Sequence, residues 1–268
     1  MNQEKDVQGA ALHIHFTAMK EEVGWFEEEE TLEDLHLGGL RLIQKKEGFR
    51  FGMDSVLLSD FAQARTDDLV VDFGSGTGIL PLLMIGRGKG GHYIGLEIQK
   101  EMAEMACRTM KLNHLDDMVE IRCMDISEAP GFLPACSVDV IVCNPPYGMP
   151  GRVMTNRAEA LSTARHQKEN TLSQFFAAAF QILKGKGRIF LVYPAAQMFS
   201  LMMELKKQHL EPKKFRLVYP DTKHPAKLVL LEAVKDARPR LHPMPPLLIY
   251  ENDGTLTKEL KSIYHMEE

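Results

Sequence analysis

An apolar run, residues 138–142, ends in Asn144-Pro145-Pro146-Tyr147, and no other stretch restricts the fold as tightly. The run is rich in β-branched residues and bounded by loop residues, so it reads as a buried strand. Two successive prolines donate no backbone hydrogen bonds and hold an extended φ, so the strand must stop there. Asn144 precedes a proline and is biased out of the α region. A stiff loop therefore sits at the carboxyl end of a strand. In an open parallel sheet, ligands bind at that edge.

A second signal lies upstream. Residues 69–72 form a strand ending in Asp72; Gly74, Ser75, Gly76 and Gly78 make a turn; Ile79, Leu80, Leu82 and Leu83 open a helix. Glycines let the backbone turn tightly and approach a ligand closely, and the helix N-terminus favours negative charge. The dinucleotide fingerprint needs a small residue at position 79, where isoleucine stands. The acid-x-Gly-x-Gly-x-Gly spacing is instead the S-adenosylmethionine form of this turn. Residues 92–97 form the next strand and end in Glu97, placed to accept both ribose hydroxyls of an adenosine beside Ile98. After a third strand, residues 119–123, Asp125 can accept from an adenine amino group while Ile126 covers the ring. A plain strand-end Glu97 and a loop Asp125 are the structural alternatives.

The remaining pattern is strand–helix alternation. A strand is expected near residues 40–44, and a helix over 55–64 with Asp54 as N-cap. Phe49, Arg50 and Phe51 precede that helix as a hydrophobic staple or a lid. Residues 99–113 read as an amphipathic helix. Residues 148–169 lack periodicity and carry Arg152, Arg157, Arg165, His166 and Lys168; a long irregular segment beside a stiff strand-end loop is a binding loop or a disordered one. A helix capped by Thr171, a strand at 187–193 and a helix at 195–208 follow. Strands at 213–219 and 226–234 lack a helix of length between them and are expected to be antiparallel neighbours. Four prolines mark 236–268 as a surface-wrapping tail.

Composition bounds the class. The 268 residues are 44% hydrophobic and 26% charged, as expected of a soluble globular chain. Residues 1–60 carry 6 Lys/Arg against 13 Asp/Glu, and residues 184–240 carry 13 against 5. The basic late segment could face a polyanion, with chance clustering as the alternative. Cys107, Cys123, Cys136 and Cys143 show no ligand spacing, so we expect reduced thiols in a cytoplasmic protein without a metal site, the first, second and last of them in the core. No signal peptide or membrane span is expected.

The opening loop suits one chemistry. An exocyclic amine of a base is a poor nucleophile because its lone pair is delocalised into the ring. The Asn144 side-chain oxygen and the Pro145 carbonyl can each accept one amine hydrogen, turning the lone pair toward a methyl donor held by the glycine turn. Pro146 stiffens the pair, and Tyr147 offers a stacking face for a flipped base. Catalysis is then positioning and electrostatics.

Together, Asp72-x-Gly74-x-Gly76-x-Gly78, Glu97, Asp125 and Asn144–Tyr147 resemble the class I S-adenosylmethionine-dependent amino-methyltransferases. More narrowly, residues 49–58, Ala164-Arg165-His166 and residues 225–232 resemble the bacterial tRNA (adenine-N6)-methyltransferases that modify an anticodon-loop adenine of a valine tRNA. The resemblance implies an α/β Rossmann-like fold with seven strands in the order 3-2-1-4-5-7-6, strand 7 antiparallel, and helices on both faces. It implies S-adenosylmethionine as cofactor and tRNA as substrate, with no obligate protein partner. Phe51 and Asp54 would join Asp72, Gly74, Ser75, Gly76, Gly78, Glu97, Ile98, Asp125, Ile126 and Asn144 around the cofactor. Arg50, Arg152, Arg165, His166, Lys213, Lys214, Arg216, Lys223 and Lys227 are the expected RNA contacts. Gly148-Met149 after Tyr147 departs from the bulkier aromatic of many relatives.

The same loop serves glutamine N5-methyltransferases of proteins, and guanine or DNA-adenine enzymes. Their extra helical or recognition domains have no counterpart in the roughly 45 residues before Phe49, which favours RNA. The expected organisation is an acidic segment (1–30), a lead-in with lid and helix (31–66), the methyltransferase domain (67–235) and a tail (236–268).

Overall fold

The computed structural model describes residues 27–47, 51–145 and 172–266. Strands β1 (Glu30–Asp34) and β2 (Arg41–Lys45) form an antiparallel hairpin. Helix α1 (Met53–Phe61) leads to β3 (Leu69–Phe73), α2 (Ile79–Gly86), β4 (His92–Glu97), α3 (Lys100–Leu112) and β5 (Val119–Cys123). A short turn and α4 (Ala129–Phe132) precede β6 (Val138–Cys143). Helix α5 (172–182), β7 (Leu183–Pro194), α6 (Met198–Lys207), β8 (Leu210–Tyr219) and β9 (Leu228–Lys235) complete the main fold. The tail adds β10 (His242–Pro243), β11 (Leu247–Leu248) and α7 (Lys258–Ile263).

The seven main strands run β5-β4-β3-β6-β7-β9-β8. Only β9 is antiparallel, to both β7 and β8. This is the expected 3-2-1-4-5-7-6 order. Side chains alternate between two cores because successive Cβ atoms of a strand point to opposite faces. Val140, Val142, Phe190 and Val192 pack under α1, α2 and the tail. Ile141, Cys143, Ile189 and Leu191 pack against α5 and α6.

Several local expectations need correction. Helix α1 begins at Met53 with Gly52 as N-cap, and it ends at Phe61, so Asp54 sits inside the first turn rather than capping it. The lone strand expected near 40–44 is half of a hairpin whose partner, β1, lies in a stretch of charge. Glu30 is buried there because Arg108 of α3 holds it with two 2.6 Å hydrogen bonds. A boundary at 30/31 would thus fall inside β1. Asn113 grips the same hairpin through the Arg41 backbone, and Thr109 through Ile43 N–H. The tail does more than wrap the surface: β10 and β11 pair in parallel with β8, and Leu247, Ile249, Leu260 and Ile263 are core residues. Cys143 is buried, whereas Cys107 is half-buried and Cys123 is exposed on the edge strand β5.

Helix α1 is bolted down at its C-terminal end. The Lys89 ammonium donates to the carbonyls of Ser59, Asp60 and Ala62 at 2.9, 2.5 and 2.7 Å. These are end-of-helix acceptors without intrahelical partners. Arg87 donates to Ser59 Oγ at 3.1 Å and to the Ile263 carbonyl at 2.7 Å, joining α1 to α7. Burial lowers the Lys89 pKa to about 8.

Removing Arg108 leaves the Glu30 carboxylate buried without its cation. Arg108→Ala is expected to lower unfolding stability by roughly 2–3 kcal/mol, measured by urea denaturation. A loss within experimental error would mean that the pair does not anchor the hairpin.

Candidate active site at the carboxyl ends of β3 and β6

Strands β3 and β6 are parallel neighbours in the register Phe73↔Cys143. The residues that follow, Gly74 and Asn144, therefore leave the sheet side by side. Beyond β3, Gly74, Gly76 and Gly78 all have positive φ (77°, 55° and 83°), a region other L-residues avoid. Gly74 N–H and Ser75 N–H both donate to the Leu96 carbonyl, at 2.9 and 3.0 Å. A Cβ at Gly74 or Gly76 would meet nothing among the described residues, so they leave open space there. A Cβ at Gly78 would strike Met110 of α3. The three glycines thus divide: two face the open site, and the third lets α2 pack against α3.

Glu97 is buried and braces the turn. Its Oε2 accepts Gly76 N–H and its Oε1 accepts Gln99 N–H, each at 2.8 Å. Each oxygen keeps a second lone pair that a hydroxyl could use. Ile98 beside it is 64% exposed, an apolar surface at the strand end, and Ile126 is buried in the short turn that follows β5. Asp125 accepts Ser127 N–H through Oδ1 at 2.8 Å and so caps the short turn that carries Ile126.

Asp72 is the unusual group. Its carboxylate is fully buried, and among the described residues neither oxygen has a partner within hydrogen-bonding distance, the Ser75 hydroxyl being the polar group nearby. Burial raises its pKa to about 7, with the Ser75 hydroxyl working against the shift and the Glu97 charge adding to it. A buried unpaired carboxylate is costly unless something else completes it. S-adenosylmethionine fits this set. Asp72 would take its ammonium, the open Gly74–Gly76 turn its backbone-facing side, Glu97 its ribose, and Ile98 and Ile126 its adenine.

Asn144 is half-buried beyond β6, and its Nδ2 donates to Ser55 Oγ of α1 at 3.1 Å. Ser55 is 3% exposed. Motif spacing did not single it out, because a serine in the first turn of an apolar helix has no pattern of its own. Phe51 is half-buried and packs on the α1-side core. Asp54 is half-buried, and burial raises its pKa. Phe49, Arg50, Pro146, Tyr147, Arg152, Arg157, Arg165, His166, Lys168 and Thr171 lie outside the described residues.

The expected RNA contacts separate by position. Lys214 pairs with Glu232 at 3.0 Å, and Arg216 is held by both Glu259 oxygens at 2.7 and 2.8 Å. Lys213 donates to the Arg238 carbonyl. These groups lie along β8, where Lys214 and Arg216 line a cavity of about 600 Å³ beneath the tail. Lys223 and Lys227 are exposed in the loop between β8 and β9. The Lys227 carbonyl accepts Ala195 N–H just beyond β7, so this loop overlooks the catalytic edge of the sheet.

The fold and the glycine turn are those of the class I S-adenosylmethionine-dependent methyltransferases. A family model described as "Methyltransferase small domain" matches residues 52–214, and the chain belongs to that family. A protein of a Flavobacteriaceae bacterium (strain 3519-10) named tRNA1(Val) (adenine(37)-N6)-methyltransferase is 28% identical over 169 residues, covering 62% of this chain and 70% of the relative. One of the same name from Aliivibrio salmonicida is 25% identical over 207 residues, covering 77% and 86%. A predicted O-methyltransferase from Agrobacterium tumefaciens superposes with a TM-score of 0.63 at 20% identity, covering 80% of this chain and 96% of that one. Pyrococcus horikoshii TYW2 superposes at 0.54 with 19% identity, covering 79% and 73%. These two structural likenesses bear on the fold. Among the described residues, no helix is long and apolar enough to cross a membrane, and no group of three or more His, Cys, Asp or Glu could hold a metal.

The Asp72 carboxyl gives a pH dependence. Its raised pKa means that the protein without cofactor gains most from this group below pH 3.8 and loses that contribution as pH rises to about 7. A cationic ligand group at Asp72 favours the ionised form and displaces its proton. Affinity for S-adenosylmethionine is therefore expected to rise roughly tenfold per unit as pH approaches 7, then level off. Calorimetric titration of wild type and Asp72→Asn checks this: the variant's profile is flat. A flat wild-type profile would contradict it.

Proposed function

We propose that this protein transfers the methyl group of S-adenosylmethionine to the exocyclic N6 amine of an adenine in the anticodon loop of a tRNA. The observation that carries the reading is the register of β3 against β6, which sets the glycine turn beside Asn144-Pro145. The names of the two relatives support the substrate.

The cofactor supplies an electrophilic methyl on a sulfonium. The protein's part is to hold a weak nucleophile. Asn144 Oδ1 and the Pro145 carbonyl accept the two N6 hydrogens, drawing the nitrogen lone pair out of conjugation and aiming it at the donor. No strong base is needed, because the nitrogen becomes acidic once it carries the methyl and its positive charge. The buried carboxyl of Asp72 and the braced turn at Glu97 keep the donor in place, so binding energy goes into alignment. Pro146 and Tyr147 continue the loop as the stiffener and the stacking surface for the base. We assign Lys223 and Lys227 to the RNA backbone and place Lys214 and Arg216 in the tail's anchorage instead.

Labelled S-adenosylmethionine supplied with bulk tRNA and whole-cell protein separates the substrate classes: label is expected in RNA, and label confined to protein would overturn the reading. Asn144→Ala is expected to cut turnover at least about 100-fold with cofactor affinity unchanged. Lys223→Ala and Lys227→Ala are each expected to lower the salt dependence of tRNA binding by about one unit of slope. Lys214→Ala is expected to leave that slope alone. Filter binding at several salt concentrations checks this, and the reverse ranking would return the RNA surface to β8.

A further inference from the structure

Of the large apolar side chains in the described residues, Phe199 is the most exposed, at 76%. A lone exposed phenylalanine needs no explanation. The place of this one does the arguing. Strand β7 is parallel to β6 in the register Cys143↔Leu191, so it ends on the same edge of the sheet as Asn144-Pro145. A turn at Ala195–Gln197 follows, and α6 begins at Met198. At a helical rise, Phe199 lies within roughly 10 Å of the end of β7. Helical Cα–Cβ bonds tilt toward the helix N-terminus, so its ring leans toward that edge rather than away from it. Leu201 and Leu205 turn the other side of α6 into the core, and Met203, one turn on, extends the exposed apolar surface.

The charges around the ring select its occupant. Lys223 and Lys227 are exposed in the loop between β8 and β9, and among the described residues neither ammonium has a carboxylate partner. The Lys227 carbonyl accepts Ala195 N–H at 2.9 Å, so this loop and the approach to α6 are joined. An open aromatic face beside two unpaired cations, on the edge proposed to receive the substrate, suits single-stranded nucleic acid: the cations meet the backbone and the ring takes a base. A second protein is a poorer match, because Phe199 and Met203 supply only a small part of the ~800 Å² per partner that a stable interface buries. We propose that Phe199 is a stacking platform for an unpaired base of the substrate RNA, beside the base that is methylated. Turning the target adenine out of its stack strips the neighbouring base of a partner, and the ring replaces it.

This inference rests on the proposed reaction on tRNA, and its test keeps the two apart. Wild type, Phe199→Ala and Phe199→Leu are compared for tRNA affinity at several salt concentrations and for KM and kcat of N6-methyladenosine formation. Phe199→Trp is combined with Trp25→Phe, which leaves that chain a single tryptophan, and its fluorescence is followed as an anticodon stem-loop RNA is added. Phe199→Ala is expected to weaken tRNA binding and raise KM roughly 5- to 100-fold, with kcat and affinity for S-adenosylmethionine within threefold. Its salt slope is expected to stay at the wild-type value, unlike that of the lysine variants, because no phosphate contact is lost. Phe199→Leu keeps apolar bulk but has no π face, and is expected to fall nearer to alanine than to wild type. Phe199→Trp is expected to keep the affinity, with its fluorescence quenched by the RNA.

Wild-type tRNA affinity in Phe199→Ala, or fluorescence of Phe199→Trp that RNA leaves unchanged, would overturn the platform. A change from dimer to monomer in Phe199→Ala by light scattering, with tRNA binding intact, would also overturn it and give the ring to a second copy of the chain. If RNA quenches the fluorescence while wild type forms no N6-methyladenosine, the adenine reading fails and the platform stands.

Discussion

The hydrogen-bonded register between β3 and β6 is the constraint on which the site depends. Paired strands lie about 4.8 Å apart. With Phe73 opposite Cys143, the two chains must leave the sheet as neighbours. One leaves through a glycine turn, the other through Asn144-Pro145. A slip of one residue would invert the facing of every β6 side chain and lift Val140 and Val142 out of the α1-side core. The same burial that holds the fold therefore keeps the glycine turn and Asn144-Pro145 on adjacent strand ends.

The second dependence runs through polar groups that the site itself leaves incomplete. Asp72 is buried at the end of β3 with no hydrogen-bond partner among the described residues, and Glu97 spends one lone pair on each oxygen to hold the turn in shape. The first is an unmet demand for a cation. The second is a demand already met within the protein. Of these two buried carboxylates on neighbouring strands, Glu97 shapes the turn, and Asp72 is the one we propose meets the cation of the ligand. Gly95 in β4 completes the arrangement, since a Cβ there would collide with Ser75.

The individual strands, the antiparallel pairing of the last two and the catalytic edge were legible from residues because each depends on a local signal: β-branched runs, strand-end acids, glycines and prolines. The strand order came from the family resemblance. The parts that were not legible depend on partners far along the chain. Glu30 closed the acidic segment expected at 1–30, but Arg108, 78 positions away, holds it buried. Asp54 looked like a cap, but the helix starts at Met53, two residues earlier than expected. Lys214 and Arg216 looked like a free basic patch, but Glu232 and Glu259 neutralise them, whereas Lys223 and Lys227 are exposed. Net charge over a window cannot report such pairing. Ser55 is the sharpest case: only the fold brings it to Asn144.

What joins these observations is a site at the carboxyl edge of the sheet, which we propose receives a planar amine. The most direct measurement is the chemical identity of the methylated nucleoside. Bulk tRNA treated with the protein and S-adenosylmethionine is digested with a base-specific ribonuclease and analysed by mass spectrometry against synthetic standards. The account predicts N6-methyladenosine in a fragment from an anticodon loop. Methyl groups found on a ring nitrogen, a ring carbon or a ribose oxygen would contradict it, because the Asn144-Pro145 acceptor pair has no role in any of those reactions.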